Sequence, residues 1–424
     1  MVTTGVDNLS SFRRVVQLSS RDETPTVAEK NQMKRNLALV LAAFAVAACS
    51  DTSQPVDPSA APNVSYSAAE ANADVIPGRF IITLRDGVNP SAVAAEHGAR
   101  PDFVYSAVLN GFAGAISEAA QSGLMRDARV LRIEPDGIAR AVTTQTGATW
   151  GIDRVDQANL PLSTTYTYNA TGSGVTAYII DTGINFGHSE FGGRASKGYD
   201  AFGGTGADCN GHGTHVSGTV GGTTYGIAKG VTLKAVRVLD CGGSGTWSGV
   251  IAGMDWVTAN HATGTPAVAN MSLGGGASAS VDAALTNMIA DGVATAVAAG
   301  NGNQGGRQQD ACKYSPARVA TAMTIGATSS TDAKTSWSNY GPCVDWFAPG
   351  LSIKSAWIGS TTATNTISGT SMATPHTAGV AALYLQGNPT ASAQVVRDAL
   401  YALTTKGKVT NSSTANNHLL FSNF

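Results

Sequence analysis

The stretch NGHGTHVSGTV sets His212 and His215 three residues apart among glycines. Two histidines at that spacing can clamp a metal, pack locally, or include the base of a catalytic device. A metal site needs a third and usually a fourth ligand, and Cys209, three residues before His212, is the nearest candidate. A catalytic base needs different company. Asp181 ends VTAYIID and is followed by Thr182-Gly183; a strand-end carboxylate at a tight turn can hold an imidazole, or simply cap a loop. Ser371 in SGTSMATPH lies at the expected start of a helix. There its backbone N–H is free and the helix dipole suits a developing oxyanion, although a plain N-cap serine would look the same. Asn301 in AAGNGN can present a side-chain amide or serve as a turn residue.

The elements that must position these residues alternate. VTAYIID, TLKAVRVLD, AVANMSLGG, VATAVAAGN, AMTIGAT and CVDWFAPG read as strands. WSGVIAGMDWVTANH, SVDAALTNMIADG and SMATPHTAGVAALYLQG read as helices from their apolar spacing. Strands apolar on both faces and separated by helices predict an α/β fold, a parallel sheet flanked by helices on both faces. Reacting groups in such sheets gather at the carboxyl ends of strands, where Asp181, Asp240 and Asn301 fall. Upstream, the order strand, helix, two strands around Asn110-Gly111, helix, strand predicts a small ferredoxin-like α+β domain.

Composition narrows the function classes. Only 13% of residues are charged, the formal net charge is −2, and no long basic run occurs, which argues against a nucleic-acid partner. The 49 glycines point to tight turns and close backbone packing rather than a helical bundle. From Met33, MKRNLALVLAAFAVAACS has the charged start and short apolar run of a secretory signal. It is too short for a typical span of ~20 residues, and it ends in Val46-Ala47-Ala48-Cys49, similar to a bacterial lipobox with Cys49 as the lipidated residue. The expected organisation is an upstream extension over 1–32, with translation starting at Met33, and a signal peptide over 33–49. A disordered tether over 50–76, the small domain over 77–142 and a large domain over 143–424 follow. Export permits disulfides, and Cys209, Cys241, Cys312 and Cys343 allow three pairings.

Asp181, His212 and Ser371, in the order Asp…His…Ser and each in its own motif, resemble the subtilisin-like serine proteases, specifically the proteinase K and aqualysin-type branch. YIIDTGI, NGHGTHVSGTV, SLGGG, AAGNGN and SGTSMATPH carry the likeness from Thr143 onward. The small domain resembles the inhibitory propeptide of the same family. The resemblance implies a secreted, broadly specific, self-processing serine endopeptidase acting on proteins and peptides as a monomer. Its own propeptide would be an intramolecular inhibitor, and its precursor would be membrane-anchored through Cys49. His212 would be the base, Asp181 its orienting partner, Ser371 the nucleophile and Asn301 an oxyanion donor; His215 would only pack. Gly243-Ser244-Gly245 and Ser272-Leu273-Gly274 would sandwich the substrate as an added strand, with Trp247 near the S4 pocket or packed on its helix.

The resemblance also pairs Cys209 with Cys241 and Cys312 with Cys343, which removes Cys209 as a metal ligand. Each pairing is expected to contribute roughly 3–4 kcal/mol. Structural Ca2+ is implied at Asp345 with the backbone oxygens of Ala320 and Ala322, and at Asp153, Asp156 and Gln157, where Ser163 replaces a further carboxylate of some relatives. Self-cleavage would fall between about Ala141 and Gln145. Two rivals remain testable at this stage: a peptide-binding lipoprotein without activity, and a transferase of the same fold that joins peptides.

Overall fold

The computed structural model describes residues 65–66, 75–138 and 142–424. The expected signal peptide, Cys49, most of the tether and part of the expected cleavage segment lie outside them. The chain divides into two compact units at Ile138/Ala139.

In the first unit, β1 (Val75–Leu84), α1 (Pro90–Glu96), β2 (Arg100–Tyr105), β3 (Gly111–Ala115), α2 (Glu118–Leu124) and β4 (Val130–Gly137) follow in the order β-α-β-β-α-β. The sheet runs β4-β1-β3-β2 with every one of these neighbours antiparallel, and Ser65–Tyr66, within the segment expected to be a disordered tether, adds a fifth strand parallel to β4. Asn89 and Ser117 cap the two helices by accepting from Ala92 and Ala120 N–H. Ile82, Leu84, Val93, Phe112, Leu124, Val130 and Ile133 form its separate core.

The second unit is built on a seven-stranded sheet. Its strands are β5 (Thr176–Asp181), β6 (Ala195–Asp200), β7 (Thr232–Arg237), β8 (Ala267–Met271), β9 (Ala294–Ala298), β10 (Met323–Thr328) and β11 (Trp346–Pro349). They run in the order β11-β10-β9-β8-β5-β7-β6, all parallel. The helices of ten or more residues are α3 (His212–Gly221), α4 (Trp247–Asn260), α5 (Ala279–Ala290), α6 (Thr370–Gly387) and α7 (Ala393–Leu403), and a shorter one spans Trp150–Val155. Two of these elements escape the sequence reading. Ser196-Lys197-Gly198-Tyr199 in β6 has the polar, glycine-bearing look of a loop because β6 is an edge strand with one neighbour. The helix α7 is short and amphipathic, capped by Ser392 accepting from Val395 N–H.

Side-chain caps mark the starts of two helices outside the site: Thr246 accepts from Gly249 N–H before α4, and Ser278 from Val281 N–H before α5. α6 differs, since Gly369 precedes it and no side chain caps it. Thr370 N–H goes to Asn301 Oδ1 and Met372 N–H to Gly369 O, so among the first residues it is the Ser371 N–H that is left for another purpose. α6 is buried along nearly its whole length and carries Pro375 inside. Proline has no N–H to give to the carbonyl four residues back. That carbonyl belongs to Ser371, and it accepts from Ser272 Oγ at 2.8 Å instead.

Both ends of the second unit are fastened. The strand Thr143–Thr146 pairs with Thr165–Tyr168. The Arg154 side chain is fully buried and grips Asp332 with two bonds, 2.7 and 3.0 Å. Near the C-terminus, Ser422 N–H donates to Val155 O at 2.8 Å, and Phe424 packs edge-on against Tyr384.

Candidate active site

Asp181 is the last residue of the central strand β5 and is fully buried. His212 opens α3. The two elements come together because Gly213 has no side chain: a Cβ there would overlap the Gly183 carbonyl oxygen. Asp181 Oδ1 accepts from His212 Nδ1 at 2.7 Å and from Thr182 N–H at 2.8 Å. Burial lowers the His212 pKa, but the charge and hydrogen bond of Asp181, with Asp208 adding, outweigh it and the net shift is upward. With Nδ1–H given to Asp181, the neutral ring presents Nε2 as an acceptor.

Asp208 is a residue the sequence reading passed over. Its carboxylate accepts from Thr182 Oγ1, Asn210 N–H and Gly211 N–H on one oxygen. The other oxygen accepts from Thr214 N–H and Oγ1. It thus joins the turn after Asp181 to the first turn of α3.

His215, in the same helix, is fully buried and has another role. Nε2 donates to Ile353 O at 3.0 Å, and burial pushes its pKa down to about 4. A metal clamp is not built here: Cys209 is bonded to Cys241, with Cα atoms 4.9 Å apart. Among the described residues no three His, Cys, Asp or Glu side chains gather in an arrangement that could hold a metal ion.

Ser371 is the second residue of α6. Its Oγ donates to Ser272 O at 3.1 Å rather than to the imidazole, so the hydroxyl must turn to meet His212. Catalytic hydrogen bonds of this kind tighten when substrate is present. Asn301 follows β9. Its Oδ1 accepts from Thr370 N–H and Thr370 Oγ1, both at 2.8 Å, which fixes the amide orientation and leaves Nδ2 as a free donor. A methyl placed on Gly369 would lie 3.4 Å from Asn301 Nδ2 and 3.5 Å from Ser371 N. Both donors therefore border the same space. Thr370 was not read from the sequence as a site residue, although it stands beside Ser371 in SGTS.

Two adjoining cavities form the cleft. One, of about 570 Å3, is lined by His212, Gly243-Ser244-Gly245, Trp247 and Ser272-Leu273-Gly274. The other, of about 280 Å3, is lined by Leu273, Gly274, Asn301 and Ser371. The segment Leu273-Gly274-Gly275 is common to both. Asp240 shapes the opposite wall by accepting from Gly242 N–H at 2.8 Å and Ser244 N–H at 3.0 Å. Trp247 lines the larger cavity and packs close over Gly275. Two backbone segments flanking a histidine, a serine and two convergent N–H donors can hold a peptide backbone and transfer its acyl group.

A family model described as "Subtilase family" matches residues 172–419. The chain is a member of the subtilase family. It is similar to the extracellular serine proteinase of Thermus sp. (strain Rt41A), with 51% identity over 92% of this chain and 99% of that protein. It is also similar to alkaline serine exoprotease A of Vibrio alginolyticus, with 53% identity over 75% of this chain and 60% of that protein. The crystal structure of a cold adapted subtilisin-like serine proteinase superposes with a TM-score of 0.62 at 53% identity, covering 65% of this chain and 99% of that one.

In this subtilase, both disulfides form as the family resemblance implies, Cys209–Cys241 and Cys312–Cys343. The two expected calcium positions differ. At Asp345, Oδ1 is held by Arg397 Nη2 at 2.6 Å and Oδ2 by Thr324 N–H at 2.8 Å. The neighbouring cavity of about 110 Å3 is lined by Ala320 and Arg397 but not by Ala322. A guanidinium already neutralises this carboxylate, so Asp345, Ala320 and Ala322 do not fit a cation here. The second position does fit. Asp156 Oδ1 is buried with no hydrogen-bond partner, and burial, with Asp153 beside it, pushes its pKa up to about 6. Asp153 accepts from Ser163 N–H and Oγ, from Thr164 N–H and from the Gln157 amide. An orphaned carboxylate oxygen near a second carboxylate and an amide is the donor set a hard cation takes.

Proposed function

We propose that this subtilase is a secreted serine endopeptidase that cleaves proteins and peptides through an acyl-enzyme. The observation that carries the reading is the pairing of buried Asp181 with His212 beside the cleft that holds Ser371 and the Asn301 amide. His212 Nε2 takes the Ser371 Oγ proton as the oxygen attacks the scissile carbonyl, then returns it to the leaving amine. Asp181 holds the tautomer and stabilises the imidazolium. Asn301 Nδ2 and Ser371 N–H receive the oxyanion, and losing one such donor typically costs ~10²–10³ in turnover. Substrate pairs as a strand between Gly243-Ser244-Gly245 and Ser272-Leu273-Gly274, main-chain recognition that tolerates many sequences.

The same reading makes the small N-terminal domain an inhibitory propeptide, released by self-cleavage between about Ala141 and Gln145. It places Ca2+ at Asp153, Asp156 and Gln157. The ion would neutralise two closely spaced carboxylates, and no catalytic step passes through it. Cys49 would tether the precursor to a membrane until that cleavage.

The test is Ser371→Ala expressed in a protease-free host. The variant should remain an uncleaved precursor, hydrolyse no peptide and escape fluorophosphonate labelling, while wild type labels at Ser371 and appears as a chain starting near Thr143. A variant that matures and cleaves normally overturns the reading. Joined rather than cleaved peptides would assign a transferase.

A further inference from the structure

Asn301 sits on a loop between two glycines, Gly300 and Gly302. Such a loop has no side chains of its own to hold it, yet an oxyanion donor must be fixed to a fraction of an ångström before substrate arrives. The residue that holds it comes from elsewhere in the chain. Asn339, in the segment between β10 and β11, is almost fully buried.

It grips the loop on both sides of Asn301. Its backbone N–H donates to Gly300 O at 2.9 Å, and its Nδ2 donates to Ala299 O at 2.8 Å. Its Oδ1 accepts from Gly302 N–H at 3.0 Å and from Gln309 N–H at 2.8 Å. Opposite chemistry on its two side-chain atoms fixes the amide orientation and leaves no equivalent alternative. Gly300 is bound to this partner sterically as well. It has φ of 100°, and a Cβ there would stand 2.5 Å from Asn339 Nδ2. Only glycine lets the asparagine approach this closely.

From the front, Thr370 holds the Asn301 Oδ1 and also accepts from Gly300 N–H at 3.1 Å. From behind, Asn339 holds the backbone. Neither the sequence reading nor the subtilase comparison points to Asn339, which lies 38 residues beyond Asn301 in SWSNYG, a stretch with no evident chemistry.

We propose that Asn339 is a positioning residue of the proteolytic reaction. It sets the place of the Asn301 amide for the transition state without touching substrate. The inference rests on the oxyanion reading of Asn301. Its signature is a loss in kcat with KM unchanged, because a misplaced oxyanion donor weakens the transition state and spares substrate binding. A displacement of about 1 Å can cost ~100-fold. Asn339→Ala is therefore expected to lower kcat by about 10- to 100-fold. Its affinity for a peptide boronate, a transition-state analogue, should fall in parallel.

The decisive experiment is a double-mutant cycle on peptide hydrolysis by the mature enzyme. The variants are Asn301→Ala, Asn339→Ala and the pair, each checked for native near-UV circular dichroism. In the Asn301→Ala background, Asn339→Ala should cost less than about 2-fold, since the donor it positions is already gone. Equal losses in both backgrounds would make Asn339 a structural residue only and overturn the proposal. So would a rise in KM with kcat unchanged. If Asn301→Ala itself kept wild-type kcat, the oxyanion reading would fall and this inference with it, a result distinct from additivity. Should Asn339→Ala not fold, Asn339→Ser carries the same cycle: it keeps a small uncharged polar side chain and loses the amide's grip on Ala299 O and Gly302 N–H.

Discussion

Replacing Asp181 with asparagine tests the centre of the site with almost no change in volume. In the native protein Oδ1 serves two donors, His212 Nδ1–H and Thr182 N–H, while Oδ2 is buried without a partner. Asparagine can keep its oxygen toward these donors, but its amine then enters the corner where Oδ2 finds nothing, at about 1–3 kcal/mol for an unsatisfied buried group. The flipped amide instead faces Thr182 N–H donor to donor and turns His212 into the wrong tautomer. In both orientations the negative charge opposite the forming imidazolium is gone. Two unit charges about 4 Å apart interact by about 4 kcal/mol at an effective dielectric of ~20. At 1.36 kcal/mol per decade, kcat should fall by about 10³.

The sign of the pH effect follows too. Asp181 is the chief group holding the His212 pKa above its ordinary value, against burial. The acidic limb of kcat/KM in wild type should lie above that ordinary value, with a plateau on the alkaline side, and in the variant it should move to lower pH. The assay is kcat and kcat/KM for a chromogenic peptide from acid to alkaline pH, with enzyme matured in trans. A variant within 10-fold of wild type, or an unmoved acidic limb, would refute the reasoning.

Calcium should raise Tm by mass action, and more above pH 6 than at pH 5. Asp156 has its folded pKa raised to about 6, so the folded state binds the extra proton between its ordinary value of 3.8 and about 6; metal-free stability falls across that window as pH rises. Asp156→Asn should remove the calcium response and raise metal-free Tm at pH 8, as thermal melts with and without EDTA will report. Equal calcium shifts in Asp156→Asn and wild type would remove the site. His215→Ala should lower Tm, since it empties buried space and strips Ile353 O of its donor, while kcat changes little; a variant as inactive as His212→Ala would contradict the assignment. Arg154→Met should cost about 3–5 kcal/mol, because Asp332 is left buried and unpaired. Denaturant unfolding measures it, and wild-type stability would show that the pair contributes nothing.

The sheet was legible because VTAYIID, AVANMSLGG and VATAVAAGN are buried on both faces, and burial on both faces is a pattern in the residues themselves. Asp181, His212 and Ser371 were legible because each stands in a long motif. Asn339, Asp208 and Arg397 were not. Asn339 acts on backbone groups and Asp208 on backbone N–H groups and two threonine hydroxyls, whose positions come only from the fold, and nothing local sets either apart from loop residues. The arginine beside Asp345 was hidden for a related reason. A carboxylate carries the same sign whether a dissolved cation or a distant arginine answers it, and Arg397 lies on α7, an element the apolar pattern did not reveal.

A serine peptidase lives among copies of itself, and every copy is also a potential meal. Attack needs about an extended strand's length of loose chain to enter the cleft, and chain ends are where such lengths usually come free. Here the beginning of the peptidase unit is sewn down by a strand pair and by Arg154 on Asp332, and its end is tied to the same region through Ser422 and Phe424. Fraying from either end has to break these fastenings. Survival in a crowd of its own kind thus depends on how rarely the whole fold opens, and the enzyme's working lifetime becomes a matter of unfolding rate more than of sequence preference.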